Sequence, residues 1–210
     1  MTKATWYFDF ISPFSYLQLG RFQDLPSELE ITLKPALFSA LLKHWGQFGP
    51  AEIPPKRQFV YRFFKWQAGR RGMPFVMPPT HPFNPLPPLR LALAGGATRD
   101  VVRQIFHFVY GEGRSLDDEA SIVALGATLG IAEAHAHIAE PGIKKRLQDN
   151  TEEAIASGVF GVPTFVVDRQ LFWGDDATEM LICYLDDPAL FEDSEMKRIS
   201  DLPMGLERVR

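Results

Sequence analysis

The chain has 210 residues, 46% of them hydrophobic and 12% aromatic, enough to bury a sizeable core as one domain or as a domain carrying an insertion. A formal charge of -4 and a pI near 5.7 argue against a general nucleic-acid binder and leave any anionic ligand to a particular local site. The single cysteine, Cys183, rules out an intramolecular disulfide and any Cys-x-x-Cys redox pair.

Along the chain, Trp6, Phe8 and Phe10 alternate with Thr5, Tyr7 and Asp9, which predicts a strand over residues 5–10 because aromatics suit a pleated surface. Ser12 and Pro13 then take the N-cap and N1 positions of a helix running to about residue 24: the hydroxyl accepts from an otherwise free amide, and proline gives up no helical bond there. LEITLKP, residues 29–35, predicts a second strand closed by Pro35. From about residue 37 to 147 the patterns are helical, over SALLKHW, KRQFVYRFFKWQAGRRG, PPLRLALAG, TRDVVRQIFHFVYGEG and SIVALGATLG, with another near AEAHAHIAE. MPFVMPPTHPFNPLPP holds too many prolines for a regular element and is expected to form an ordered connection able to wall a cleft.

Strand character returns afterwards. TEEAIASG reads as a short helix, GVPTFVVD as a turn and strand, QLFWG as a second strand and DATEMLICYLDD as a final helix. The simplest architecture is a split α/β core, residues 1–36 and 150–190, into which a helical domain, residues 37–149, is inserted; residues 191–210 form a C-terminal extension without sustained periodicity. The start Met-Thr-Lys leads into a strand without a signal-peptide core, and no apolar run approaches the about 18 residues of a membrane span, so a cytoplasmic protein with no membrane partner is expected.

Two motifs carry chemistry. SPFS puts Ser12 at a helix start, where free amides favour an anion, with Ser15 one turn on. Ser-Pro is equally an excellent cap with no chemistry attached, so the motif alone leaves both readings open. GVFGVPTFVV places Val162-Pro163 directly before a strand, where proline supplies no amide and a cis bond resolves the geometry. His81, in THPFNPL, reaches a cleft or makes a structural hydrogen bond. His107, in QIFHFVY, is expected to pack inside, as is Cys183 in MLICYL. His135 and His137 are two apart and point differently on a helix, so no metal site is expected. Trp45, Phe63, Phe64 and Trp66 belong to the core or to a flat aromatic wall, and Arg57, Arg62, Lys65, Arg70 and Arg71 lend the insertion a basic side. Nucleophile-elbow, Rossmann and phosphate-loop motifs are missing.

The order strand-helix-strand, insertion, strand-strand-helix resembles the thioredoxin superfamily, in particular its DsbA-like branch, where a Cys-x-x-Cys helix start faces a cis-proline loop; SPFS stands in that place. YFDFISPFSYL, LKPALFSALLK, HPFNPLPPLRLAL, GVFGVPTFVVD and LFWGDD, in this order, resemble the 2-hydroxychromene-2-carboxylate isomerases, relatives of kappa-class glutathione transferases. That resemblance implies a thioredoxin-like α/β fold, glutathione as cofactor, a small aromatic carboxylate as substrate and a homodimer. It implies that Ser12 lies beside the glutathione sulfur, that Val162 and Pro163 pair with the tripeptide backbone, and that Asp175 and Asp176 lie near its γ-glutamyl end. It further implies polar positions at Lys43 and Asn84 near cofactor or substrate; Trp45, as part of the aromatic wall, and His81, as the histidine of the proline-rich connection, are the substrate-side candidates read from the residues themselves. Two departures stand out: HWGQFG follows Lys43 where relatives commonly carry threonine, glycine and asparagine, and Ala177 follows the aspartates where an arginine is common. A kappa-like transferase that conjugates electrophiles and a non-catalytic peptide-binding module are the alternatives.

Overall fold

The computed structural model describes residues 2–206. Four strands form one sheet: β1 (Lys3–Phe8), β2 (Glu30–Pro35), β3 (Thr164–Val167) and β4 (Gln170–Trp173), in the order β2-β1-β3-β4. β1 runs parallel to β2, with Trp6 opposite Leu33, and antiparallel to β3, with Trp6 opposite Phe165; β4 closes the sheet antiparallel to β3. The period of two sends alternate residues of β1 to opposite faces. On one face Trp6 and Phe8 join Phe10, Phe22, Phe106 and Phe165 in an aromatic core, with Trp6 stacked on Phe8 at 4.5 Å. On the other, Tyr7 packs with Ala36, Leu41, Ala154, Val159 and Val162. Both faces of β1 are therefore covered, as a central strand with helices on either side requires.

β1 stops at Phe8, two residues short of the expected Phe10, because the Asp9 carboxylate leaves the ladder and accepts from Ile11 N–H at 3.0 Å and Phe38 N–H at 2.9 Å. α1 (Pro13–Leu19) ends before Gly20, and a 3₁₀ turn at Phe22–Asp24 completes the stretch expected as one helix. A Cβ at Gly20 would meet Met73 Sδ at 2.7 Å, so a larger residue there would have to displace the flexible end of the Met73 side chain.

The insertion contributes α2 (Phe38–Trp45), α3 (Pro54–Arg70), α4 (Leu86–Ala94), α5 (Arg99–Phe106), α6 (Glu119–Thr128) and the four-residue α7 (Ala134–His137). α8 (Pro141–Ala156) starts well ahead of the short helix expected at Thr151, because Pro141 opens it and Ile143, Leu147, Thr151 and Ala154 bury one continuous stripe. Residue 150 thus lies inside a helix. α5 continues into a π-turn at His107–Gly111, whose wider turn keeps Phe108, Val109 and Tyr110 buried and leaves His107 outside, 3.7 Å from Glu112. The expectation that His107 packs inside is corrected accordingly. Cys183, also expected inside, is exposed on α9 (Thr178–Asp186), where Leu181 and Tyr184 take the inward face. The C-terminal segment, expected without a regular element, forms α10 (Ser194–Ser200), capped by the Asp193 carboxylate accepting from Glu195 N–H at 2.8 Å. Among the described residues, no helix is long and apolar enough to cross a membrane.

Candidate functional site

The site grows from the short link between β1 and α1. Ser12 is the N-cap, extended at φ -99 and ψ 107, and its Oγ accepts from Ser15 N–H at 3.3 Å. The same hydroxyl donates to the Val162 carbonyl at 3.3 Å, and Val162-Pro163 is cis. Both bonds are longer than the usual range for their type, so the hydroxyl is held in place while its proton remains easy to redirect. Ser12 is 8% exposed, and Ser15, fully buried behind it, has an Oγ without a partner among the described residues.

Asp9 lies directly below this link and has no solvent exposure. Burial pushes its carboxyl up to about 7, against the opposing pull of backbone amides at Ile11, Phe38 and Phe10. The site reading of the sequence overlooked Asp9; the available signal was an acid set at the end of an otherwise apolar strand. Near enough to feel its charge, Tyr110 is fully buried, its hydroxyl unpartnered among the described residues, and burial together with the Asp9 charge raises its pKa strongly.

His81 sits beside the same link. Its Nε2 is 2.7 Å from the Ile11 carbonyl, and its Nδ1 is 2.7 Å from the Tyr61 hydroxyl. Burial holds the imidazole below its ordinary value. Trp45 reaches the proline loop from the other direction, donating its indole N–H to the Val159 carbonyl at 3.0 Å while remaining 41% exposed. Gly161 completes that loop: a Cβ there would meet Trp173 Nε1 at 2.5 Å.

At the far end of α1 the buried Gln18 accepts from the Trp6 indole at 2.7 Å and donates to the Gly174 carbonyl at 2.8 Å, tying α1 to the turn that carries Asp175 and Asp176. Asp175 is buried and bound by both terminal nitrogens of Arg71, at 2.8 and 2.6 Å. The arginine missing after the aspartates is thus matched by one arriving from the end of α3, and Asp175 is closed into an ion pair. Asp176 is the carboxylate left exposed at this end.

Ser12, Val162 and Pro163 therefore come together, with His81 bonded to the adjoining peptide and Trp45 to the same loop as Val162. Lys43 is exposed on α2, two residues before Trp45. Asn84 caps its own turn, accepting from Leu86 N–H at 3.1 Å. Of the aromatic candidates, Phe64 is buried and packs edge-on against Phe14 at 4.6 Å, Phe63 lies 6.2 Å from Phe14, and Trp66 is 53% exposed beneath Arg70. A cavity of about 460 Å³ against β2, lined by Phe22, Leu25, Ile31 and Arg99 among others, shares no residue with this constellation.

The fold and site define a thioredoxin-like protein with an inserted helical subdomain, in which serines occupy the helix start facing a cis-proline loop. The chain belongs to the family described as the DSBA-like thioredoxin domain, whose model matches residues 5–186. It is similar to a 2-hydroxychromene-2-carboxylate isomerase of Pseudomonas putida, 30% identical over 183 residues that span 83% of this chain and 90% of the relative. A solved structure of a 2-hydroxychromene-2-carboxylate isomerase matches with a TM-score of 0.77 at 24% identity, covering 96% of this chain and 100% of that one. The cytosolic disulfide reductase DsbM of Pseudomonas aeruginosa, solved with GSH, matches at a TM-score of 0.58 and 20% identity over 93% of this chain and 99% of its own. At those identities the two structures speak for the fold. Similarity to enzymes of this fold supports a catalytic function, and the single exposed cysteine removes dithiol exchange from the choices.

Proposed function

We propose that the protein is a glutathione-dependent isomerase interconverting 2-hydroxychromene-2-carboxylate and trans-o-hydroxybenzylidenepyruvate, a step in the breakdown of naphthalene-type aromatics. The observation that carries this reading is the Ser12 hydroxyl, buried at the start of α1 and bonded at 3.3 Å to the carbonyl preceding Pro163. The polar groups fit a thiol ligand: one weakly engaged hydroxyl at the start of a helix and, behind it, a second hydroxyl without a partner among the described residues.

Bound glutathione would supply the thiolate nucleophile that the chain itself lacks. Ser12 would hold the sulfur as an anion by donating its hydroxyl proton in a hydrogen bond, exchanging the long bond to Val162 for a charge-assisted one. A thiol near pKa 8.5 brought down by about two units needs about 2.7 kcal/mol, which is within reach of a hydroxyl bond to an anion added to the dipole of the helix start. Val162 and Pro163 would pair with the peptide part of the cofactor and Asp176 with its ammonium end; the Asp175–Arg71 pair would hold that turn in place. Lys43 would neutralise the substrate carboxylate or a developing oxyanion, and Trp45 and Asn84 would line the substrate side. The reading includes a homodimer, which sedimentation tests directly, and a cytoplasmic location, which cell fractionation tests.

Purified protein supplied with glutathione is expected to equilibrate the two aromatic acids and to lose that activity when thiol is removed. Conjugation of electrophiles without isomerisation would replace this reading with a kappa-like transferase. Absence of any thiol-dependent turnover, with an extended peptide held at Pro163, would replace it with a binding module.

A further inference from the structure

We propose that His81 is a positioning residue for Ser12, acting through the Ile11 carbonyl, with the Tyr61 hydroxyl holding the far side of its ring. The link from Asp9 to Ser12 has its polar atoms tied one by one. Ile11 N–H donates to Asp9 Oδ1 at 3.0 Å, Ser12 N–H donates to the Asp9 carbonyl at 3.1 Å, and the Ile11 carbonyl faces His81 Nε2 at 2.7 Å. The peptide unit joining Ile11 to Ser12 thereby has its N–H and its C=O held from different sides. Rotation of that unit is the motion that would swing the Ser12 hydroxyl off the start of α1, since its cap conformation is not helical.

The donor assignment follows from the acceptor. A carbonyl oxygen only accepts, so Nε2 carries the ring proton; in the neutral imidazole Nδ1 is then an acceptor, and the single Tyr61 hydroxyl proton lies between it, at 2.7 Å, and the His81 carbonyl, at 2.9 Å. Tyr61 comes from α3 and His81 from the proline-rich connection, so the insertion sets the geometry of a residue in the sheet domain. The His81 ring has no nitrogen left for a substrate in this arrangement, which moves it from the substrate side to the support of the cap. The side chains of Asp9, Tyr61 and His81 are the polar groups that hold this link and its supporting ring.

The link to catalysis rests on Ser12 being the sulfur-binding hydroxyl, whereas the structural part is testable without any cofactor. In the full chain, amide exchange at Ser12 is expected to quicken about tenfold in His81→Leu, the size of a lost hydrogen bond worth about 1.4 kcal/mol. Exchange in β3 and β4 should be unchanged, and His81→Gln, which keeps an N–H within reach of Ile11, should restore the Ser12 rate. Unaltered exchange at Ser12, or acceleration spread evenly over the chain, would overturn the proposal. Tyr61→Phe, which removes one oxygen atom, guards against a poorly folding His81 variant: the ¹⁵N resonances of His81 should keep the Nε2–H form, because the Ile11 carbonyl fixes it, and appearance of the Nδ1–H form would overturn the bond to Ile11. With glutathione, His81→Leu is expected to lower kcat about tenfold while KM for glutathione moves less than twofold. Calorimetry showing that the wild type does not bind glutathione would end the proposed function, while the exchange result would still decide the role of His81.

Discussion

Asp9→Asn isolates the one fully buried carboxyl beside the candidate site. The folded carboxyl keeps its proton up to about 7, whereas an unhindered aspartate has its ordinary value of 3.8. Between those values the native state binds more protons than the unfolded one, so the Asp9 contribution makes stability fall as pH rises. That contribution is fully present below about pH 4, is lost through about pH 7, and is flat beyond. The interval corresponds to about 4 kcal/mol in all. Asparagine cannot ionise, and it presents an amide N–H₂ to one of the backbone N–H groups of Ile11 and Phe38, a pH-independent cost of about 1–3 kcal/mol. Urea unfolding of both proteins from pH 4.5 to 8.5 separates the two effects, because titration of every other group is shared. Over that range the difference should shift in favour of the variant by about 3 kcal/mol as pH rises and level off above the Asp9 pKa. Parallel curves across the range would refute the assignment of a proton to Asp9.

Ser12→Ala should raise the pKa of enzyme-bound glutathione, read from thiolate absorbance, and cost about 0.5–2 kcal/mol of stability through the lost cap; an unchanged thiol pKa would remove the role assigned to Ser12. Arg71→Met leaves the Asp175 carboxylate buried without its partner, and because the arginine side chain is itself 25% exposed, a loss of about 2–3 kcal/mol in urea unfolding is expected, short of a fully enclosed pair. A loss under about 0.5 kcal/mol would show that water replaces the guanidinium. Tyr110→Phe removes a buried hydroxyl without a partner among the described residues and should leave stability equal or raise it by about 1 kcal/mol; a clear loss would reveal a hydrogen bond made by that oxygen.

Local chemistry was enough for much of the frame. The alternation around Trp6, the Ser12-Pro13 cap and the proline before TFVV are each determined by a few neighbouring residues, and each stands in the structure as a strand, a helix start and a turn into a strand. Where local pattern was ambiguous, packing decided. α8 begins at Pro141 because Ile143 and Leu147 find a buried face, and Cys183 points outward because Leu181 and Tyr184 take the inward positions on the same helix.

The sequence by itself determined that the first strand runs into a serine-capped helix, that the chain has no sulfur pair, and that a Val-Pro loop precedes the returning strand, since these depend on residue type and short spacing. Only the tertiary structure decided that the Ser12 hydroxyl meets the Val162 carbonyl 150 positions away, that Arg71 neutralises Asp175, and that His81 holds the peptide before the cap. Such partners are chosen by which buried polar atoms must be satisfied once the two faces of the sheet are covered, and that requirement exists only when the distant segments have packed together.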